Sequence, residues 1–271
     1  AAREMTNRIQ KVVGGDFSEL MVGNVHRFCS KFLFEQGRIP ADSAIIDDEE
    51  AVSIIADYRN EDEEGVTRDF NRYKGYQTII FFQHFIYQME HQHPWKYYLH
   101  PECFTDDDRE AVKHICASQK IEYDEQAVVN IYHHAQEYMD EANAPGLDGK
   151  TADRIRVLLW KMYYAGCYAR YKEENHLFDF EDLLLYTYDI YRSDPSCKRY
   201  PWIQVDEVQD LNGMQLAIID LLTAEDNPMV MYLGDEQQAI FSFMGAKVET
   251  LTLLKMRCKD NIHHLQRNHR S

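Results

Sequence analysis

Residues 203–212 read IQVDEVQDLN: a short apolar run that ends abruptly in Asp206-Glu207, followed by Gln209 and Asp210. An apolar strand with paired carboxylates at its C-terminal tip suits one task well, holding Mg²⁺ and a water beside a nucleotide phosphate. The alternative use of such a pair is to cap the helix that follows. Further on, PMVMYLGDE repeats the pattern of an apolar run ending in Gly and acidic residues, and GMQLAIIDLLTAE lies between the two with helical spacing. This alternation predicts a strand–helix–strand unit with parallel strands whose C-terminal tips face one site.

Outward from this unit the character of the chain changes. From residue 39 to 195 long helical patterns dominate: AVSIIADYR, YQTIIFFQHFIYQMEHQ, REAVKHICASQ, EQAVVNIYHHAQEYMDEA, TADRIRVLLWKMYYAGCYARYKEE and FEDLLLYTYDIYR. Acidic or Pro/Gly-containing breaks such as NEDEEG and APGLDG separate them. Ahead of them, residues 1–13 carry an apolar stripe at helical spacing. Leu20–Val22 then leads into GNVHRFCSKFLFEQG, which reads as a strand, a turn and a helix. The last residues, HHLQRNHRS, read as a further strand. The expected architecture is α/β: a core supplied by both chain ends (1–38 and 196–271) around an all-helical insertion (39–195).

The chain has 271 residues, 45% hydrophobic and 28% charged, which is ordinary globular material. The opening is polar, unlike a signal peptide, and no apolar run reaches the roughly 18 residues of a membrane span. Six cysteines lie scattered without zinc-ligand or CxxC spacing, as expected of reduced core thiols in a cytoplasmic protein. A net charge of −17 argues against tight, unaided binding to nucleic acid over the whole surface. A local groove remains compatible with it.

A carboxylate-tipped strand needs a partner, a glycine loop with a lysine to cradle phosphates. The nearest candidate is Ala144–Thr151, APGLDGKT, with Lys150 in the expected place. Such a loop must follow a buried strand and open a helix. Here a charged helical pattern precedes it, so these residues read as a helix–loop–helix connection with Thr151 capping the next helix. The histidines 84, 91, 93 and 100 fit no metal-ligand spacing and read as polar packing in an aromatic helix and its following loop.

Three segments in order, VDEVQD, LGDEQQAIFSFMGA and LQRNHRS, resemble motifs of the UvrD/Rep-like superfamily 1 DNA helicases. AAREMTNRI, GNVHRF and LFDFEDLLLY resemble further segments of that family. The resemblance implies a partial RecA-like (P-loop NTPase) core with a large helical insertion, and ATP and Mg²⁺ as cofactors. It also implies a 3′-to-5′ translocase on single-stranded and duplex DNA. In the family the phosphate loop precedes the A-A-x-E-M segment. The chain is therefore expected to be a fragment without that loop, inactive by itself.

The same resemblance suggests roles residue by residue. Asp206 would hold Mg²⁺, and Glu207 would orient or deprotonate the attacking water. Gln209 and Asp210 would organise neighbouring loops, and Asp235 would position the loop that bears Gln238. Gln238 and Arg270 would reach the γ-phosphate. His269 stands where the family has a tyrosine packing on adenine. Phe241 and Phe243 match positions that stack on single-stranded bases, while Met244 replaces the usual arginine. His26 and Phe28 match a DNA-contacting segment in which Asn24 replaces a threonine, and Arg3 would touch the DNA backbone. Two other readings stay open: a compact ATPase using Lys150, and a non-catalytic module that binds protein partners through its helical insertion.

Overall fold

The computed structural model describes residues 20–60, 75–235 and 246–264, with Thr6, Asn7, Ile9 and Lys11 ahead of them. The chain forms two units, residues 1–187 and 188–271.

The first unit is mainly helical: α1 (Val25–Glu35), α2 (Asp48–Arg59), α3 (Gly75–Glu90), α4 (Asp106–Gln119), α5 (Glu125–His133) and α6 (Gly149–Glu174). Two short strands, β1 (Ala44–Ile45) and β2 (Leu177–Phe178), pair in parallel with Ala44 opposite Leu177. Helix α7 (Phe180–Ser193) follows β2, and the division between units falls within it. Local signals set these helix starts. Asp47 with Glu50, and Thr105 with Asp108, form reciprocal capping boxes at α2 and α4.

Helix α6 is the spine of this unit. Its Ile155, Leu158, Leu159, Met162, Ala165 and Tyr168 are fully buried, in one cluster with Ile79, Phe82, Phe85 and Ile86 of α3. Two lysines on the same helix are also buried. Lys161 Nζ donates to Asp108 of α4 at 2.5 Å and to the Cys103 carbonyl at 2.9 Å. Lys172, 11 positions further on, is about three turns along the same helix face.

The second unit contains β3 (Trp202–Val205), α8 (Gly213–Leu222), β4 (Met229–Tyr232) and α9 (Ala246–Cys258). The strands pair in parallel, Ile203 opposite Val230 and Val205 opposite Tyr232, with α8 as the connection. This is the strand–helix–strand unit expected from the alternation of apolar runs. Arg257 of α9 makes a two-pronged contact with Asp220 of α8, at 2.8 and 2.9 Å. All six cysteines are free, and five are buried. No helix among the described residues is long and apolar enough to cross a membrane.

Three expectations need correction. The strand expected at the start of GNVHRFCSKFLFEQG does not form: residues 20–24 are in no ladder among the described residues, and α1 begins at Val25. The pattern at 125–142 does not continue as one helix: α5 stops at His133, and Met139–Asn143 is a 3₁₀ turn. Ser118 and Gln119 at the end of α4 each donate to Glu141 at 2.6 Å, and this tether overrides the local periodicity. Finally, α6 is capped by Asp148 rather than Thr151.

Candidate functional site

The tip of β3 is built from short-range hydrogen bonds. Val205 is buried and ends the strand; the exposed Asp206 and Glu207 follow it. The Glu207 N–H donates to Asp206 Oδ1 at 3.0 Å, and Glu207 adopts a left-handed backbone conformation, φ 51°. That conformation is unfavourable for most side chains. It is held here by the turn Val208–Asp210 and by the Val208 N–H donating to the Leu233 carbonyl at 3.0 Å. The reversal leaves both carboxylates at the C-terminal end of the sheet.

Gln209 ties this tip to the segment after β4. It is 3% exposed. Its Nε2 donates to Glu207 Oε2 at 2.6 Å, and its Oε1 accepts the Asp235 N–H at 3.2 Å. The approach is close enough to require glycine next door. A Cβ on Gly234 would lie 2.7 Å from Val208 Cγ1 and 2.8 Å from Gln209 Oε1. Helix α8 has its own cap, Asn212 with Gln215 in a reciprocal box, so the acidic pair is not needed for that task.

The Lys150 string has a different use. Asp148 Oδ1 accepts the N–H groups of Lys150 and Thr151 at 3.0 and 3.1 Å, and Thr151 Oγ1 donates to Asp148 Oδ2 at 2.7 Å. The donors that a phosphate would need at this helix start are therefore engaged by a carboxylate. A 3₁₀ turn, Met139–Asn143, stands ahead of it where a phosphate loop needs a strand.

In the first unit, Asn24 caps α1 by accepting the Arg27 N–H at 2.8 Å. Asparagine is as good a cap as threonine, so this departure from the expected segment leaves the helix start intact. His26, one residue into the helix, is half-buried, and burial lowers its pKa, with Glu181 acting weakly in the opposite sense. Phe28 stacks on Phe32, ring centroids 6.2 Å apart. Beside His26 lies a residue to which the sequence reading gave no role. Phe180 at the first position of α7 is 45% exposed and meets the His26 ring edge-on at 5.8 Å. An aromatic with an acid on each side in DFED was the available signal.

Beneath Phe180 lies a closed network of charge. Asp179 and Asp182 cap each other: the Asp179 N–H donates to Asp182 Oδ2 at 2.9 Å, and the Asp182 N–H to Asp179 Oδ1 at 3.0 Å. Lys172 Nζ reaches both carboxylates, at 2.6 and 2.5 Å. His84 Nε2 lies 2.8 Å from Asp179 and 3.4 Å from Asp182, and Tyr168 Oη donates to Asp179 at 3.1 Å.

Burial would lower the His84 pKa, but the two carboxylates overcome it and hold it at about 9. Burial would likewise raise the Asp179 pKa, yet His84 and Lys172 keep it well below the usual carboxylate range. An imidazolium places its second N–H, on Nδ1, where no described group accepts it; the paired carboxylates at Nε2 outweigh that cost. His84, Asp179 and Glu181 bring ligand-type atoms within 4.8 Å of one another. With hydrogen bonds from His84, Asp182, Tyr168 and Lys172, however, Asp179 has no oxygen lone pair left for a metal. The arrangement is an ion-pair network.

Gln238, Phe241, Phe243, Met244, His269, Arg270 and Arg3 lie outside the described residues, as does the expected strand at the chain end.

Comparison with known proteins identifies what the chain is similar to. The chain is similar over 277 aligned residues to the ATP-dependent DNA helicase PcrA of Staphylococcus aureus, at 23% identity, covering 100% of this chain and 30% of that protein. It is 32% identical over 124 residues to DNA helicase II of Escherichia coli, covering 44% of this chain and 15% of that protein. A probable DNA helicase II homolog of Mycoplasma capricolum is 24% identical over 160 residues, covering 54% of this chain and 21% of the relative. The chain thus spans a third or less of the length of these relatives. The model of the UvrD/REP helicase N-terminal domain matches residues 1–259, and the chain belongs to that family.

Proposed function

We propose that the chain is part of an ATP-dependent DNA helicase that couples ATP hydrolysis to 3′-to-5′ movement on single-stranded DNA. One observation carries this reading: Asp206 and Glu207 stand together at the tip of a parallel strand, and Gln209 holds Glu207 to the segment after β4. On this reading residues 1–38 and 196–271 belong to a RecA-like core and 39–195 to an inserted helical subdomain. The names of the relatives above support DNA and ATP as what the intact protein handles.

The residues present fit a divalent metal. Asp206 is exposed, and among the described residues its carboxylate accepts one N–H, on Oδ1, so oxygen remains for the hard cation Mg²⁺. Mg²⁺ would neutralise developing phosphate charge. Glu207, oriented through Gln209, is suited to accept a proton from the attacking water. Gln238 and Arg270 complete the γ-phosphate contacts in this reading, with His269 against the base. On the DNA side, His26, Phe28, Phe241 and Phe243 offer stacking faces, and exposed Phe180 joins them through its contact with His26. Such stacking is worth roughly 1–3 kcal/mol per base.

Because the GKT string serves as a capped helix start, we infer that the isolated chain does not turn over ATP. A cytoplasmic location fits a chain with five buried free thiols. Calorimetric titration of Mg²⁺–ATP into the isolated chain tests the phosphate-loop part. No heat at high-micromolar protein is expected. Binding that Lys150→Ala abolishes would instead make this a compact ATPase.

A further inference from the structure

The motif DFED does two things at once. Its phenylalanine is exposed beside His26, while its two aspartates are buried and cap one another. An exposed aromatic at the first position of a helix would ordinarily sample several orientations, because helix ends fray. Here the backbone on both sides of Phe180 is fixed from below. Two cations reach the clamp from two different helices, His84 from α3 and Lys172 from α6, and Tyr168 adds a third contact. Against two carboxylates this is a balanced set of charges, nearly sealed from water, with 0% exposure at the His84 side chain and 5% at Lys172. None of the four groups is exposed enough to meet a nucleic acid, yet they fix Asp179 directly before Phe180 and Asp182 two positions after it.

We propose that His84 and Lys172 are positioning residues for single-strand binding, holding the Asp179–Asp182 clamp so that Phe180 presents its ring beside His26. This rests on the reading of Phe180 and His26 as strand contacts. It assigns the function of a pre-set stacking face to a salt-bridge network four residues deep. A stacking face held ready binds more tightly than one that must be ordered on contact, because the ordering entropy is already met.

The test uses the chain itself and two fluorescent oligonucleotides, one of thymidines and one with abasic sites in their place. The abasic strand keeps the phosphates and lacks the stacking faces. The ratio of the two affinities therefore reads stacking alone, and a general loss of fold would lower both. Phe180→Ala is expected to reduce the thymidine preference by about fivefold or more, in line with the loss of one stacked base. His84→Gln and Lys172→Met should reduce it to a similar degree with the abasic affinity unchanged, while Lys172→Arg, which keeps the cation, should retain it. Should Lys172→Met fail to fold, Asp182→Asn, which keeps the volume and removes one charge, carries the same expectation.

The proposal is overturned if Phe180→Ala lowers the preference and folded His84→Gln and Lys172→Met or Asp182→Asn do not. A different failure is just as visible. If the wild-type chain shows no preference for thymidine, or Phe180→Ala leaves it intact, Phe180 is not a strand contact and the underlying reading falls, taking the positioning role with it.

Discussion

Gln209 uses both ends of one amide on two different loops, and the residue scale is where its role can be tested. It is buried, it donates to Glu207 Oε2, and it accepts from the Asp235 N–H. Replacing it by leucine removes both bonds and leaves a main-chain donor facing an apolar side chain. Each hydrogen bond of this kind contributes about 0.5–1.5 kcal/mol. Gln209→Leu is therefore expected to lower the free energy of unfolding by about 1–3 kcal/mol, seen as a lower urea midpoint, and an unchanged midpoint would mean that the amide is not structural. Its neighbour gives an independent check. Gly234→Ala would push a methyl to 2.7 Å from a methyl carbon of Val208. Overpacking of this severity costs about 1–3 kcal/mol, read in the same denaturation series; a neutral alanine would mean that this loop is looser than its geometry indicates.

At the scale of elements, α6 is held at two points along one face by buried lysines, Lys161 against Asp108 and Lys172 against Asp179 and Asp182. The second point includes His84, whose proton the folded chain holds more tightly than the unfolded one, with a pKa of about 9 against 6.5. The stabilisation is therefore full below pH 6.5 and is lost as the pH rises through about 9. One such proton gives a slope of at most about 1.4 kcal/mol per pH unit. Urea denaturation from neutral to alkaline pH should show wild-type stability falling across that window. His84→Gln should lack this component. Parallel pH profiles of the two proteins would show instead that His84 is neutral in the fold.

What could be read from the sequence at this scale follows the physics of periodicity. Helices α2, α3, α4, α6 and α7 and the β3–α8–β4 unit were legible because burial of one face imposes a repeat on the residues themselves. The break after His133 was not, since Ser118 and Gln119 reach Glu141 only through tertiary contact. Nor could spacing reveal that Asp148 caps α6, with a Gly-Lys-Thr string beside it that mimics a phosphate loop. In the candidate site, the place of Asp206 and Glu207 at a strand tip was legible from the apolar run before them, whereas the loop-organising part expected of Gln209 came from the family resemblance. Phe180 was not, because its exposure beside His26 depends on two segments some 150 positions apart (180 − 26 = 154).

At the scale of the whole molecule, the net charge of −17 constrains how any strand is held. Affinity that comes from phosphate contacts falls steeply with salt, with a slope of about −0.7 per neutralised phosphate on single strands. The proposed contacts in the first unit are rings, His26, Phe28 and Phe180, and burial keeps His26 toward its neutral form. Arg27 and Lys31 are the cations of the same helix, so this helix offers one or two phosphate contacts. The remaining field is repulsive, and salt screens repulsion as effectively as attraction. A plot of log affinity for oligothymidine against log salt is therefore expected to have a slope no steeper than about −1.4, less than about tenfold for a fourfold rise in salt. A slope of about −4 would require six phosphates held by cations. That would place binding on a basic track elsewhere in the chain and remove stacking from its central place in the reading.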